Sequence, residues 1–169
     1  MKMLVLIFIF TPFISYPQRI VSNQTDSFTH QKRIVTDEIN IRSGLGFNTG
    51  IDAISYNTVN NNIFIVLHGS GRQSSGTILK DDIALLITEK DTIVIKSAGT
   101  QISYGSRYSP YNYDHQYLIS KEDLIKLSKN KLLTIKRYTS EGIFDMAVKE
   151  KFEARLMKLS DALLKEMSK

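Results

Sequence analysis

The sequence predicts an α+β protein: an antiparallel sheet of about six to eight strands, with a short helix and a C-terminal amphipathic helix on one face. Three observations predict it. Short runs rich in Ile, Val and Thr recur between residues 34 and 148, separated by Gly, Asn and Ser. Ser120 opens a short stretch with helix-capping chemistry. Phe152, Leu156, Leu159, Leu163 and Met167 then step by 4, 3, 4 and 4, the spacing of one helix face.

The chain has 169 residues, 42% hydrophobic and 23% charged, which fits one globular domain and excludes wholesale disorder. Its zero cysteines exclude a disulfide scaffold, a thiol nucleophile and a Cys-ligated zinc. Domain organisation follows from composition: residues 1–15 as a signal peptide, 16–32 as a flexible lead-in and 33–169 as a single α+β domain. Behind Lys2, ten of the thirteen residues from Met3 to Ser15 are large and apolar. That is the length of a secretory h-region, short of the ~20 residues a membrane-spanning helix needs, and Pro12 interrupts it. The expected address is therefore exported, periplasmic or secreted, with no transmembrane anchor after cleavage. The exported chain would hold 154 residues at a formal charge of +4. Asn23-Gln24-Thr25 fits the glycosylation pattern, which matters only in a host that glycosylates.

Each element has a local reason. Ile34–Ile41 mixes β-branched and polar residues and stops at Ser43-Gly44-Leu45-Gly46. Ile51–Tyr56 is a second strand, and Asn60-Asn61-Asn62 supplies residues that tolerate the left-handed backbone of a hairpin turn. Ile63–Leu67 is apolar on both faces and belongs centrally in the sheet. Glycine-rich 69–76 reads as a loop, Ile83–Ile87 and Thr92–Ile95 as a tight hairpin, 97–113 as a long loop, and Gln116–Ile119 as a short strand. Ser120 caps the short helix, with Glu122 and Asp123 at the positive end of its dipole and Lys126 and Lys129 at the other. Residues 143–167 could form one helix, but Phe144, Met146 and Val148 alternate with Asp145 and Ala147. Strand, turn at Thr139–Gly142, strand is the reading that fits. A helix of eighteen residues from Glu150 follows, about 27 Å long.

The stretch YLISKEDLIKLSKNKLLTIKRYTSEGIFDMAVKEKFEARL, taken with the strands before it, resembles the layout of small exported proteins of unknown function from Gram-negative bacteria. The resemblance spans roughly Ile51 to the C-terminus. It implies an antiparallel sheet closed by a C-terminal helix and transfers no activity and no functional residue.

No catalytic set assembles from spacing. His68-Gly69-Ser70-Gly71 follows a strand, as an oxyanion-hole loop does, but no G-x-S-x-G elbow accompanies it. Gly71–Gly76 has phosphate-loop spacing, yet Thr77 stands where a lysine is required. His30, His68 and His115 lie far apart, and Asp114-His115 point apart if extended, so neither a metal site nor a cofactor is expected; Asp81-Asp82 diverge in the same way, which leaves no carboxylate pair for glycoside hydrolysis. Lys126, Lys129, Lys131, Lys136 and Arg137 are the densest basic run; they read as a solvated surface, and no nucleic-acid partner is expected.

Composition departs most at residues 104–117, where five of the eight tyrosines fall within fourteen residues. Tyrosine offers a rigid contact surface with a polar tip, and Arg107 a planar donor for a carboxylate. Tyr104, Arg107, Tyr108, Tyr111, Tyr113 and His115 are accordingly the candidate binding residues, on a segment that recognises a partner or packs over the sheet. The expected function is an exported non-catalytic binding module, its partner an envelope protein or glycan. The alternative is a small secreted hydrolase using the His68 loop, with Ser70 or with Asp114 and His115.

Overall fold

A computed structural model describes residues 19–27, 30–41, 50–71, 78–101, 104–106, 109–140 and 142–169; at 50, 70, 71, 104–106 and 109–111 it describes the backbone only. The expected signal peptide, Arg107 and Tyr108 lie outside the described residues. The elements run β1 (Ile20–Thr25), β2 (Lys32–Thr36), β3 (Ile39–Asn40), β4 (Gly50–Val59), β5 (Asn62–Gly71), β6 (Ile83–Thr88), β7 (Thr92–Ser97), β8 (Tyr104–Ser106), β9 (Ser109–Ile119), α1 (Lys121–Lys129), β10 (Leu132–Thr139), β11 (Gly142–Ala147) and α2 (Glu150–Met167).

The fold is α+β, and every strand pairing is antiparallel. The sheet has eleven strands among the described residues, more than the six to eight expected, in the order β1-β2-β4-β5-β9-β7-β6-β10-β11, with β3 on β4 and β8 on β9. The excess has local causes. Asp37-Glu38 break the 34–41 run into β2 and β3. Ile20–Thr25, polar and mostly exposed, still pairs with β2 from within the 16–32 segment. Tyr104–Ser106 pairs with β9.

Two expected loops are strand instead. β5 continues through His68 to Gly71, and β9 begins at Ser109, so His68 faces Asp114 and Gly71 faces Tyr111 across one ladder. The overlooked signal is alternation: Tyr111, Tyr113, His115, Tyr117 and Ile119 recur every second residue, and aromatic residues suit a pleated surface. Local chemistry elsewhere behaves as read. Asn60 and Asn61 take φ of 51° and 66° in the β4–β5 turn. The Ser120 hydroxyl accepts from the Asp123 N–H at 3.0 Å. Gly142, at φ 127°, turns β10 into β11 where a side chain would be strained.

α2 contacts β2, β3, β10 and α1, so strands from both halves of the sheet meet one helix, and the sheet curves around it. Phe152, Leu156, Leu159 and Leu163 are buried, as their spacing requires. They join one core with Ile54, Ile65, Leu67, Leu86, Ile93 and Ile135. At its centre the Tyr56 hydroxyl meets Ser160 Oγ at 2.8 Å, tying β4 to α2.

The topology sorts the connections. The starts of β4, β6, β9 and β11 and the ends of β5, β7 and β10 share one end of the sheet. The strand ends that flank the β3–β4, β5–β6 and β7–β9 connections therefore lie at that end, while the tight hairpins after β4 and β6 lie at the other.

Candidate functional site

Alternation along β9 divides the Tyr-rich segment between two faces. Tyr113, His115 and Tyr117 point into the concave, helix-covered side and are 3%, 1% and 0% exposed. Asp114 points the other way and is exposed. The backbones of Tyr104 and Tyr111 lie in β8 and β9, side by side with their neighbours in the ladder. Of the six candidate binding residues, the two whose side chains are described, Tyr113 and His115, therefore lie together inside the fold, their rings stacked 4.6 Å apart.

What they close on is Arg137. This residue belongs to the basic run that reads as solvated surface, yet it is fully buried. The correction has a simple physical origin: Arg137 follows Ile135 by two residues, so the pleat sends both to the core face while Lys136 turns to solvent. β9 and β10 are not neighbours in the sheet, since β7 and β6 stand between them. Curvature nonetheless brings Arg137 Nη1 to 2.7 Å from His115 Nδ1. The guanidinium carbon lies 4.5 Å from the Tyr113 ring centre and 5.4 Å from that of Phe144, within cation–π range of both.

The electrostatics are lopsided. A guanidinium is always protonated and only donates, so His115 Nδ1 must be the acceptor and its proton sits on Nε2. Burial and the Arg137 charge hold the His115 imidazole neutral, down to about 3. Burial likewise pushes the Tyr117 hydroxyl upward, the nearby Arg137 charge opposing it only in part. Among the described residues, Arg137 Nε and Nη2, His115 Nε2 and the Tyr117 hydroxyl are buried without a hydrogen-bond partner. No described carboxylate forms an ion pair with Arg137. Buried polar groups are nearly always paired, so unpaired donors gathered around one buried charge are unusual.

A second constellation occupies the outer face of the same strands. His68 on β5 stands directly opposite Asp114 on β9, and Ser55 on β4 is its diagonal neighbour. Ser55 Oγ lies 2.7 Å from His68 Nε2, and His68 Nδ1 lies 2.7 Å from Asp114 Oδ1. Glu38 Oε1 is 3.9 Å from the same ring nitrogen. A hydroxyl, an imidazole and a carboxylate thus stand in the order of a nucleophile, a base and its orienting acid. Ser55 reaches His68 because the β4–β5 hairpin runs in one unbroken register from Val59–Asn62 to Ala53–His68, while Asp114 joins them through the non-local pairing of β5 with β9.

Ser70 lies in β5 and its side chain is not described; His115 faces the opposite side of the sheet from His68. Among the described residues no three His, Asp or Glu side chains group as metal ligands, and no described helix is long and apolar enough to cross a membrane. At the hairpin end a cleft of about 460 Å³ is lined by Asn61, Asn62, Leu118, Ser120, Lys121 and Met167, with Lys121 its sole ionisable group among the lining residues. Comparison of the chain with protein-family models, with curated proteins and with solved structures finds no match.

Proposed function

We propose that this protein is an exported, non-catalytic binding module whose recognition region is the loop end of the sheet, around Tyr104, Arg107, Tyr108, Tyr111, Tyr113 and His115. Its partner is a protein or glycan of the cell envelope. One observation carries the reading: Tyr113 and His115 of the tyrosine-rich segment converge on a buried guanidinium that retains unpaired donors. Such an arrangement costs folding free energy, and binding sites are where fold stability is given up for recognition. The signal-like first fifteen residues support the export.

The test is capture from an envelope extract. Replacing Tyr104, Tyr108 and Tyr111 together with Ala should abolish recovery of the partner and shift the melting temperature by no more than about 2 °C. Unchanged recovery, or a collapse of the fold, removes the reading.

A second reading, a small secreted hydrolase using His68, has the Ser55–His68–Asp114 alignment in its favour. It ranks below the first because Ser55 is 5% exposed and sits inside a paired strand, where backbone N–H groups are committed to the ladder rather than free to hold an oxyanion. A fluorophosphonate adduct on Ser55, lost in Ser55→Ala and in His68→Gln, would establish it. Absence of any adduct on the intact protein would dispose of it.

A further inference from the structure

We infer that Arg137, His115 and Tyr117 form a buried receptor for the carboxylate of a small organic acid. The inference rests on the reading of the loop end as a binding region and names the chemistry that its interior takes. Arg137 Nη1 is occupied by His115, which leaves Nε and Nη2 unpaired. These two nitrogens form one edge of the guanidinium, and their N–H bonds run parallel, matching the two oxygens of a carboxylate. Because His115 Nδ1 accepts, its Nε2 carries a proton and is a further unpaired donor, and the Tyr117 hydroxyl is another. Every free group here can donate and the local charge is positive, so the complement is an anionic acceptor; a neutral ligand would leave the charge uncompensated.

Charge balance selects among anions. A monocarboxylate neutralises one guanidinium, whereas a phosphate dianion would leave a net negative charge among Ile, Leu and Tyr side chains, at a heavy desolvation cost. The surroundings favour an acid with an apolar body: Tyr113 and Phe144 present ring faces beside the guanidinium. Phe144, half-buried on the edge strand β11, stands directly opposite Arg137 in the β10–β11 ladder. No described acid of the chain itself supplies the missing partner.

The full chain, purified without any partner, is titrated with benzoate, acetate and inorganic phosphate while the arginine side-chain N–H resonances are followed by NMR. Benzoate should bind saturably and move the Arg137 Nε–H signal downfield, acetate should bind more weakly at the same signal, and phosphate should leave it in place. Arg137→Gln should weaken benzoate binding at least tenfold. Tyr117→Phe, which keeps the ring and the packing, should weaken it about threefold and covers the case in which Arg137→Gln fails to fold. No saturable benzoate binding by the intact protein, equal affinity in the variants, or a phosphate response exceeding that of benzoate would each overturn the carboxylate receptor. Benzoate silence with envelope capture intact defeats this inference alone; lost capture with benzoate binding intact defeats the envelope-partner reading alone.

Discussion

Arg137 Nη1 donates to His115 Nδ1 across 2.7 Å, joining two strands that are separated in the sheet by β7 and β6. A buried cation held by a neutral imidazole and two aromatic rings is an expensive way to fill a core. Its free energy depends on what else reaches its unpaired donors.

Replacing the pair with apolar residues of similar volume should therefore stabilise the protein. The double variant Arg137→Met, His115→Leu removes the buried charge together with the unpaired Arg137 and His115 donors, and a gain of about 1–4 kcal/mol in urea unfolding is expected. His115→Ala alone strips the guanidinium of its one side-chain acceptor among the described residues and should cost about 3 kcal/mol. A loss of stability in the double variant would mean that the cation is already compensated.

Acid should weaken the fold through the same imidazole. Above about 6.5, the ordinary histidine value, His115 is neutral in both folded and unfolded chains and adds no pH dependence. Between about 6.5 and about 3 the unfolded chain takes up a proton that the folded protein refuses, so stability falls as the pH is lowered. Below about 3 both states are protonated and the loss levels off. Urea midpoints from pH 8 to pH 4 should fall in the native protein and fall less in His115→Gln. In Arg137→Met the His115 carbon resonances should titrate at a higher pH, because one of the two causes of the depression is gone.

Tyr56 and Ser160 link the sheet to α2 far along the chain from one another. Burial pushes the Tyr56 hydroxyl up to about 12, so it stays protonated throughout the physiological range. Tyr56→Phe deletes one neutral hydrogen bond while Ser160 Oγ keeps its bond to the Leu156 carbonyl. The expected loss is about 1 kcal/mol, read as a lower thermal midpoint with unchanged far-UV dichroism. A loss several times larger would show that the hydroxyl orders more of the core than its one bond.

Local determinants should act locally. Ser120→Ala removes the cap of α1 and should cost about 1 kcal/mol. Asn61→Gly, at a φ of 66°, should be neutral or slightly stabilising, whereas Asn61→Val should destabilise by about 1–2 kcal/mol. Denaturant unfolding of the three variants checks all of these values together.

Much of the architecture is legible from short-range chemistry. Ser120, Asn60-Asn61, Gly142 and the Phe152–Met167 stripe each act within a few residues, so turns, caps and the two helices follow from composition and spacing. The same period-2 logic was available for β9 and for Arg137, but a glycine- and tyrosine-rich stretch reads as loop, and an arginine in a basic run reads as solvated. Pairing partners decided otherwise: β9 extends because β5 lies alongside it for its full inner length.

By itself the sequence determined the α+β class, the antiparallel pairing and the C-terminal helix, because periodicity and capping are properties of neighbouring residues. Only the tertiary structure decided which side chains meet. Ser55, His68 and Asp114 meet because β9 pairs with β5 more than forty residues along the chain and sets Asp114 opposite His68. His115 and Arg137 meet through sheet curvature, which places residues 22 positions apart, on non-adjacent strands, within one hydrogen bond. Neither the β5–β9 pairing nor the curvature is encoded in any local window; both emerge when the whole sheet wraps around α2.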